Sequence, residues 1–565
     1  MAEAAAAEDV PPYEPGASQN PAFATNDSYE ELDFDLNLVE GRRRHHSGTI
    51  AEIAEHDKSP GTPEKLVRTA EEAEENAVNF DLEANMGNLS VNADISPTAE
   101  SPTEDLTGHA TGGDRHDEVF DSEGQGSPET SQDQKVRSSS LLEHMDSSDR
   151  FQMEEDIHSP EWRQHKKHVF ILSEAGKPIY TRYGNEDKLV TLMGVMQALI
   201  SFVQDSKNSL RSIVAGDHLF VFLVRQPLIL VAVSRTRDSQ QQLLMQLTYV
   251  YNQILSVLTF SQLNRVMEQR RNYDLRRLLS GTEKFIDNLI NLMDTDPSFL
   301  LSAIRCLPLD SSIRDLIGQA MQTAKAKDLV FAILIADNQL VTLCRMKKYV
   351  LHPADLHIIF NLLNASTSFQ SADSWIPICL PKFDSSGYLH AHISYLDNSP
   401  ACLLLLTVDK MMFFELAKCK EKIVERLQKH KCLAAIEHAV SSGSYRCREV
   451  GISDLRHFLY KSKSTAQFTS PELEAPYDDP TERERLFSMY LYLHQRIHNA
   501  ARPLKIMFHV GSTEAMLGWV TSGFELYAVF GPLTTKQVAI LAVNKLLKWM
   551  KKEEDRLFVL NPPEF

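Results

Sequence analysis

Apolar residues recur along this chain in one order, three times. The clearest copy opens with His168-Val-Phe-Ile-Leu-Ser, turns through Glu174-Ala-Gly-Lys-Pro178 and returns through Ile179-Tyr-Thr-Arg182, which predicts a β-hairpin. A helix is expected over 186–204, then strands near 209–215, 218–224 and 228–234, then a long helix over 238–259. Leu219-Phe-Val-Phe-Leu-Val and Leu228-Ile-Leu-Val-Ala-Val are continuously apolar, so both faces of those strands are expected to be covered. The closing helix places Leu243, Leu247, Val250, Ile254, Val257 and Leu258 on one broad face.

The second copy begins at Leu329-Val-Phe-Ala-Ile-Leu-Ile and turns at Ala336-Asp-Asn. Its strands are expected near 329–335, 339–345, 375–380, 388–396 and 401–408, with helices near 353–364 and 412–430. The third is looser and begins at Leu455-Arg-His-Phe-Leu-Tyr, with strands near 455–461, 466–469, 504–510, 514–521 and 524–530, and helices near 481–499 and 534–553. Each copy reads ββαβββα. That order implies an α/β, layered architecture: an antiparallel-rich five-stranded sheet with helices on both faces, built three times. The boundaries drawn from this pattern are a tail over 1–161, modules over 162–262, 327–432 and 433–565, and a helical linker over 263–326.

Charge separates the tail from the rest. Residues 1–160 hold 37 Asp and Glu against 10 Lys and Arg; the whole chain is at −19, so residues 161–565 carry +8. The tail is rich in Glu, Asp, Ser, Pro and Gly without sustained periodicity, the composition of a disordered segment. Its Ser/Thr-Pro steps at Ser59, Thr62, Ser96, Ser101, Ser127 and Ser159 are candidate phosphorylation sites, and the acid–apolar stretches Tyr29–Leu36 and Asn79–Glu83 are candidate docking segments. The basic body is compatible with an anionic surface. All seven cysteines lie after residue 300, mostly in apolar runs and without a Cys-x-x-Cys pair, which reads as reduced core cysteines in a cytoplasmic setting. No signal-peptide pattern and no apolar run of about 20 residues is found, so any membrane association is expected to be peripheral.

The search for catalytic motifs returns neither a phosphate-binding Gly-rich loop nor a nucleophile elbow nor a His-Glu-x-x-His. His390 and His392 share a strand face, but two ligands alone make a weak metal site, and His352 and His357 are not at i, i+4. No cofactor and no metal is therefore expected. The first helix says more. Leu189, Leu192, Met193, Met196, Leu199, Ile200 and Val203 form a stripe sufficient to cover a sheet, and Val195, Ala198 and Phe202 extend the apolar arc past it. Two uses fit that excess: packing on the module's own second helix, or a protein–protein surface. Basic clusters at Arg345, Lys347 and Lys348, at Lys418, Lys420 and Lys422, and at Lys545, Lys548, Lys551 and Lys552 around Trp549 are candidate contacts for lipid headgroups. No reader motif or aromatic platform points to nucleic acid.

Several blocks carry a family resemblance: Lys167-His-Val-Phe-Ile-Leu-Ser-Glu-Ala-Gly-Lys-Pro-Ile-Tyr-Thr-Arg-Tyr-Gly, Gln269-x-x-Asn-Tyr-Asp-Leu-Arg-Arg-Leu-Leu-Ser-Gly, Cys379-Leu-Pro-Lys-Phe, Leu455-Arg-His-Phe-Leu-Tyr-Lys, Phe468-Thr-Ser-Pro-Glu-Leu-Glu-Ala-Pro-Tyr and Lys551-Lys-Glu-Glu-Asp-Arg-Leu-Phe. Over 162–565 the chain resembles the Mon (monensin-sensitivity) vacuolar fusion proteins, also called SAND proteins. The resemblance implies three longin domains and a Ccz-family longin partner. It implies guanine nucleotide exchange on the late-endosomal Rab GTPase, Rab seven, in early-to-late endosome conversion, by displacement of a switch loop and without covalent catalysis. It also implies a third regulatory subunit in animals, and recruitment to endosomes and lysosome or vacuole by the early-endosomal Rab and phosphatidylinositol 3-phosphate. On the helical wheel and the expected fold, Val195, Ala198 and Phe202, with Lys188 and Gln197 nearby, are the platform candidates. The alternative is a longin-domain trafficking adaptor without exchange activity; a SNARE is disfavoured, because no heptad run or anchor follows the modules.

Overall fold

A computed structural model describes residues 159–565 apart from Arg237, 270–272, Ser280, 324–325 and 397–398. The acidic tail and five of its six Ser/Thr-Pro sites lie outside the described residues. Ser159 is described: its Oγ caps the first helix, α1 (Pro160–Gln164), by accepting from the Trp162 amide at 3.1 Å.

The first module comprises β1 (Lys167–Ser173), β2 (Pro178–Thr181), α2 (Val190–Asp205, preceded by a 3₁₀ turn at Glu186–Leu189), β3 (Ser212–Ala215), β4 (His218–Arg225), β5 (Leu228–Ser234) and α3 (Gln240–Val257). Its antiparallel sheet runs β2-β1-β5-β4-β3. The continuous apolar runs do what two-sided burial requires. Phe170, Leu172, Phe222, Ile229, Val231 and Val233 face α2, while Val169, Ile171, Val221, Leu223 and Leu230 face α3. The two helices therefore cover opposite faces, which excludes packing of the excess apolar arc of α2 on α3. Ser239 and Gln242 start α3 with a reciprocal capping box.

Helices α4 (Phe260–Gln269), α5 (Arg276–Leu279), α6 (Glu283–Thr295) and α7 (Pro297–Leu301), the two-residue strand β6 (Ile304–Arg305) and helix α8 (Ser311–Gln322) form the linker. The second module has β7 (Leu329–Ala336), β8 (Gln339–Arg345), α9 (Pro353–Asn364), β9 (Ser374–Leu380), β10 (Asp384–Tyr395), β11 (Ala401–Thr407) and α10 (Phe413–Lys429) in the order β8-β7-β11-β10-β9. Asp337 and Asn338 both have positive φ (46° and 56°), the two-residue turn whose twist matches its strands. Helices α11 (Cys432–Ser442) and α12 (Cys447–Val450) precede the third module: β12 (Leu455–Ser462), β13 (Gln467–Thr469), α13 (Pro480–Ile497), β14 (Ile506–Val510), β15 (Ala515–Val520), β16 (Phe524–Phe530) and α14 (Lys536–Leu557).

The third sheet departs from expectation. It has six strands, β14-β15-β16-β12-β13-β6, because the linker contributes β6 in parallel to β13. The next residue, Cys306, bridges Leu340 of β8, so one three-residue run joins the edges of the second and third sheets. Arg314 of α8 closes the same junction. Only 7% exposed, its guanidinium donates to the carbonyls of Leu307, Val341, Asp555, Arg556 and Phe558 at 2.7–3.3 Å. The C-terminal residues then return to β8, where the Arg345 amide donates to the Pro563 carbonyl and the Phe565 amide donates to the Arg345 carbonyl.

Two buried histidines tie elements together as neutral groups. His357 of α9 has Nδ1 3.1 Å from the Tyr249 hydroxyl of α3 and Nε2 3.3 Å from the Ala303 carbonyl; His457 has Nδ1 2.7 Å from the Tyr490 hydroxyl. Burial pushes both imidazoles down to about 3.

Two predictions follow from these contacts. Arg314→Met strands buried carbonyls and is expected to lower the unfolding free energy by about 3 kcal/mol or more, with Arg314→Lys recovering less than half because an ammonium lacks the planar fork. Denaturant titration checks this; a loss under about 1 kcal/mol would contradict the clamp. Between pH 6.5 and about 3 the unfolded chain protonates His357 and the folded chain does not, so this contribution to stability is lost as pH falls. Asp355, raised by burial to about 6, opposes the trend below pH 6. His357→Gln is expected to flatten the stability–pH slope between pH 6.5 and 4.5 by up to about 1.4 kcal/mol per pH unit; an unchanged slope would rule the histidine out as a contributor.

Candidate functional site

Helix α2 meets its sheet through a narrow line, Leu189, Met193, Met196 and Ile200, all buried. This corrects the sequence reading of the stripe: Leu192 and Leu199 do not cover the sheet but stand 37% and 43% exposed. The reason is geometric. Residues at i, i+4, i+7 and i+11 exhaust the contact line, and the flanking positions fall outside it. Leu192 and Leu199 join Val190, Val195 and Phe202, the last 75% exposed, on the outer side of the helix, where Ala198 is exposed too.

The three first helices are not equivalent. Helix α9 is buried on both sides, because beyond its own sheet it packs on α3 and α6; Leu356, Ile359, Phe360 and Asn361 are all inaccessible. Asn361 accepts from Asn288 of α6 at 2.8 Å and donates to Gln253 of α3 at 2.8 Å. Helix α13 presents a polar outer side and exposes no large apolar side chain. Only α2 among the three keeps an apolar outer face open.

The other two platform candidates differ in kind. The Gln197 amide donates to the Glu174 carbonyl at 2.8 Å and to Ser201 at 3.0 Å, and its Cβ lies where a side chain on Gly176 would sit, 3.2 Å away. It holds the β1–β2 turn, with Gly176 at φ +75°, against α2. Lys188 is exposed in the 3₁₀ turn that opens the helix.

The basic candidates separate by pairing. Arg345 is tied to Glu564 (3.2 Å) and to the Lys347 and Tyr349 carbonyls, and Lys420 to Asp373 (2.7 Å). Lys418 pairs with Glu415 on one exposed surface, Lys551 with Glu554, Lys552 with Glu553 (3.7 Å), and Lys545 donates to the Gly451 carbonyl. Lys347, Lys422 and Lys548 are exposed without an ion pair among the described residues, and Lys348 lies over the Tyr349 ring at 4.7 Å. Near Lys418, Phe414 in the first turn of α10 and Met411 in the loop before it are exposed.

An open cleft of about 780 Å³ in the third module is lined by Arg456, Glu482, Arg485, Met489, Glu514 and Pro532, among others. Its charges are spent on one another. Arg485 holds Glu514 through two 2.6 Å hydrogen bonds and Glu482 through two more, at 2.6 and 2.9 Å, and Arg456 lies 3.3 Å from Glu514. Burial pushes Glu514 up, but the hydrogen bonds from Arg485 and Thr513 outweigh it and keep the carboxylate ionised. The candidate ligands on β10 do not form a metal centre: His390 stacks on Trp375, and His392 is buried with Nδ1 3.2 Å from Ser394. His352 caps α9 by accepting from the Ala354 amide. The sequence reading passed over His494 and His498, at i, i+4 on α13, which face Glu525 of β16. Their spacing was a legible signal; the third group was not, since it comes from a strand 27 residues away.

Comparison with known proteins agrees with this architecture. Residues 167–289, 327–425 and 454–554 match the first, second and third longin domains of FUZ, MON1 and HPS1. The chain is 54% identical over 413 residues to the chicken (Gallus gallus) vacuolar fusion protein MON1 homolog A, spanning 73% of this chain and 75% of the relative. It is 52% identical over 410 residues to Protein SAND of Takifugu rubripes (72% and 79%), and 43% identical over 430 residues to human (Homo sapiens) MON1 homolog B (73% and 78%). Three longin domains in tandem, together with identity of this extent, place the chain in the MON1/SAND family.

Proposed function

We propose that this chain is a subunit of a guanine nucleotide exchange factor that acts, with a Ccz-family longin partner, on the late-endosomal Rab GTPase in vacuolar or lysosomal fusion. The vacuolar fusion role is the one its relatives are named for. The observation that carries the reading is the apolar outer face of α2: Val190, Leu192, Val195, Leu199 and Phe202 are exposed on a rigid helix, while the equivalent helices are buried or polar. A face of this kind suits a protein partner. Exchange also needs no nucleophile or metal. A surface that binds the nucleotide-free GTPase best weakens nucleotide binding to the same degree, by linkage. In this reading Val195, Ala198 and Phe202 contact a macromolecular partner, whereas Gln197 shapes the adjoining turn and Lys188 sits at its margin. Recruitment is peripheral, through the early-endosomal Rab and a phosphoinositide-bearing membrane: among the described residues no helix is long and apolar enough to cross a bilayer. The domain boundaries proposed are those drawn from the sequence, with the acidic tail as a regulatory segment.

Two outcomes test this. Phe202→Asp should leave the unfolding free energy within about 0.5 kcal/mol of wild type, because the side chain is exposed. It should also slow nucleotide release from the Rab, measured with the partner present, by about tenfold or more; intact release together with intact Ccz pairing would sink the α2 assignment. Charge reversal at Lys347, Lys422 and Lys548, three exposed candidates without an ion pair among the described residues, should weaken binding to anionic vesicles by about 1 kcal/mol per site at low salt. Reversal at Lys420, already paired, should act mainly on stability. Equal vesicle binding by all variants in a sedimentation assay would reject this division.

A further inference from the structure

The C-terminal turn of α13 carries the most concentrated group of metal-ligating side chains among the described residues. His494 and His498 project from one helix face with ring centroids 4.3 Å apart. Glu525, the second residue of β16, is 5% exposed beneath them. Its Oε2 lies 3.6 Å from His498 Nε2 and accepts from the Tyr527 hydroxyl at 3.5 Å; that hydroxyl is itself 3.1 Å from His498 Nε2. One donor atom from each of His494, His498 and Glu525 lies within 4.8 Å of the other two.

We propose that His494, His498 and Glu525 form a binding site for a divalent transition-metal ion of the zinc type, fixing the end of α13 to β16. Two imidazoles at i, i+4 and one carboxylate are a donor set zinc accepts, leaving the fourth position to solvent. Tetrahedral zinc with ligand bonds near 2.0–2.1 Å sets its donors about 3.4 Å apart, so modest side-chain rotations bring the present spacing to coordination distance. His498 caps α13, where the helix dipole favours positive charge.

Two lysines oppose a cation at this position. Lys461 and Lys463 of the β12 end approach Glu525 Oε1 at 3.4 and 3.6 Å. They engage the oxygen that faces away from the histidines, so Oε2 stays turned toward the site while their charge lowers its affinity. A plain ion-pair network explains Glu525 but leaves His494 over. Neither of its ring nitrogens has a hydrogen-bond partner among the described residues, although the ring is half-buried beside the Glu525 carboxyl. A metal ion gives that nitrogen a partner.

The test uses the full-length, tag-free chain, stripped with a chelator and titrated with Zn²⁺ against a chromogenic competitor, with Co²⁺ absorption as a second readout. The expected result is one competed equivalent of Zn²⁺, a Co²⁺ spectrum of tetrahedral intensity, and a higher melting temperature on adding Zn²⁺. His494→Gln and His498→Gln, both at half-exposed positions, should each weaken binding roughly a hundredfold and abolish the thermal shift while circular dichroism stays that of wild type. Absence of a competed equivalent in wild type, or binding by both variants equal to wild type, would overturn the proposal.

Discussion

The junction of the second and third modules depends on a buried guanidinium that has no carboxylate partner among the described residues. Arg314 reaches carbonyls from the linker, from β8, from the last turn of α14 and from Phe558 just after it. Carbonyls at a helix C-terminus and in irregular segments lack intrahelical partners, and leaving them buried and unpaired costs free energy. One planar, permanently charged group satisfies five of them at once. Desolvation lowers its affinity for the proton, yet it stays within the range where guanidinium is charged. The two sheets, the linker and the C-terminal segment are thereby held at a single point. Around it lie the β6–β13 pairing, the Cys306–Leu340 bridge and the reciprocal bonds between Gln467 and Val559.

That junction explains why the modules diverge although their element order is the same. The linker helices fill the space between α3 and α9, and the polar groups they bury there are paired across the interface: Asn361 with Asn288 and Gln253, and His357 with Tyr249. The first helix of the second module is consumed by this contact. In the third module, α13 takes its apolar partners from the linker through Leu300, Leu301 and Ala303, and turns a polar side outward. The first module is held through α3, on the far side of its sheet, so α2 remains outside the scaffold.

The repeated strands and helices were legible because their periodicity is local. Two-sided burial writes continuous apolar runs such as Leu228–Val233, and a left-handed pair such as Asp337-Asn338 marks a turn within two residues. What the pattern did not contain was pairing across long separations. Ile304-Arg305 is too short to read as a strand, and its partner lies about 160 residues later. The helix expected near 412–430 ends where Lys431 enters the left-handed region, but the sequence reading holds no helix over 432–442, where α11 follows. At the candidate platform the apolar excess was visible on the helical wheel. Its exposure was not, since a wheel does not say which elements share a sheet face. The same limit applies to Glu525: alternation places it on one face of β16, and only the packing of α13 brings two histidines above it.

The distribution of free and committed charge follows the same logic. A lysine close to the scaffold is drawn into it: Lys167, almost wholly buried, sits 2.9 Å from Asp238 and 2.8 Å from Asp294, and the carboxylates outweigh the burial that would lower its affinity for the proton. Lys420 and Arg345 are held in the same way at more exposed positions. Cations so engaged cannot leave their partners for a lipid headgroup without exposing a half-buried carboxylate to lost pairing. Lys347, Lys422 and Lys548 carry no such constraint, and their charge is available to an anionic surface at the cost of side-chain entropy alone. A count of basic residues along the sequence overstates the surface available for binding; the pairing within the fold decides how much of the positive charge is left to act.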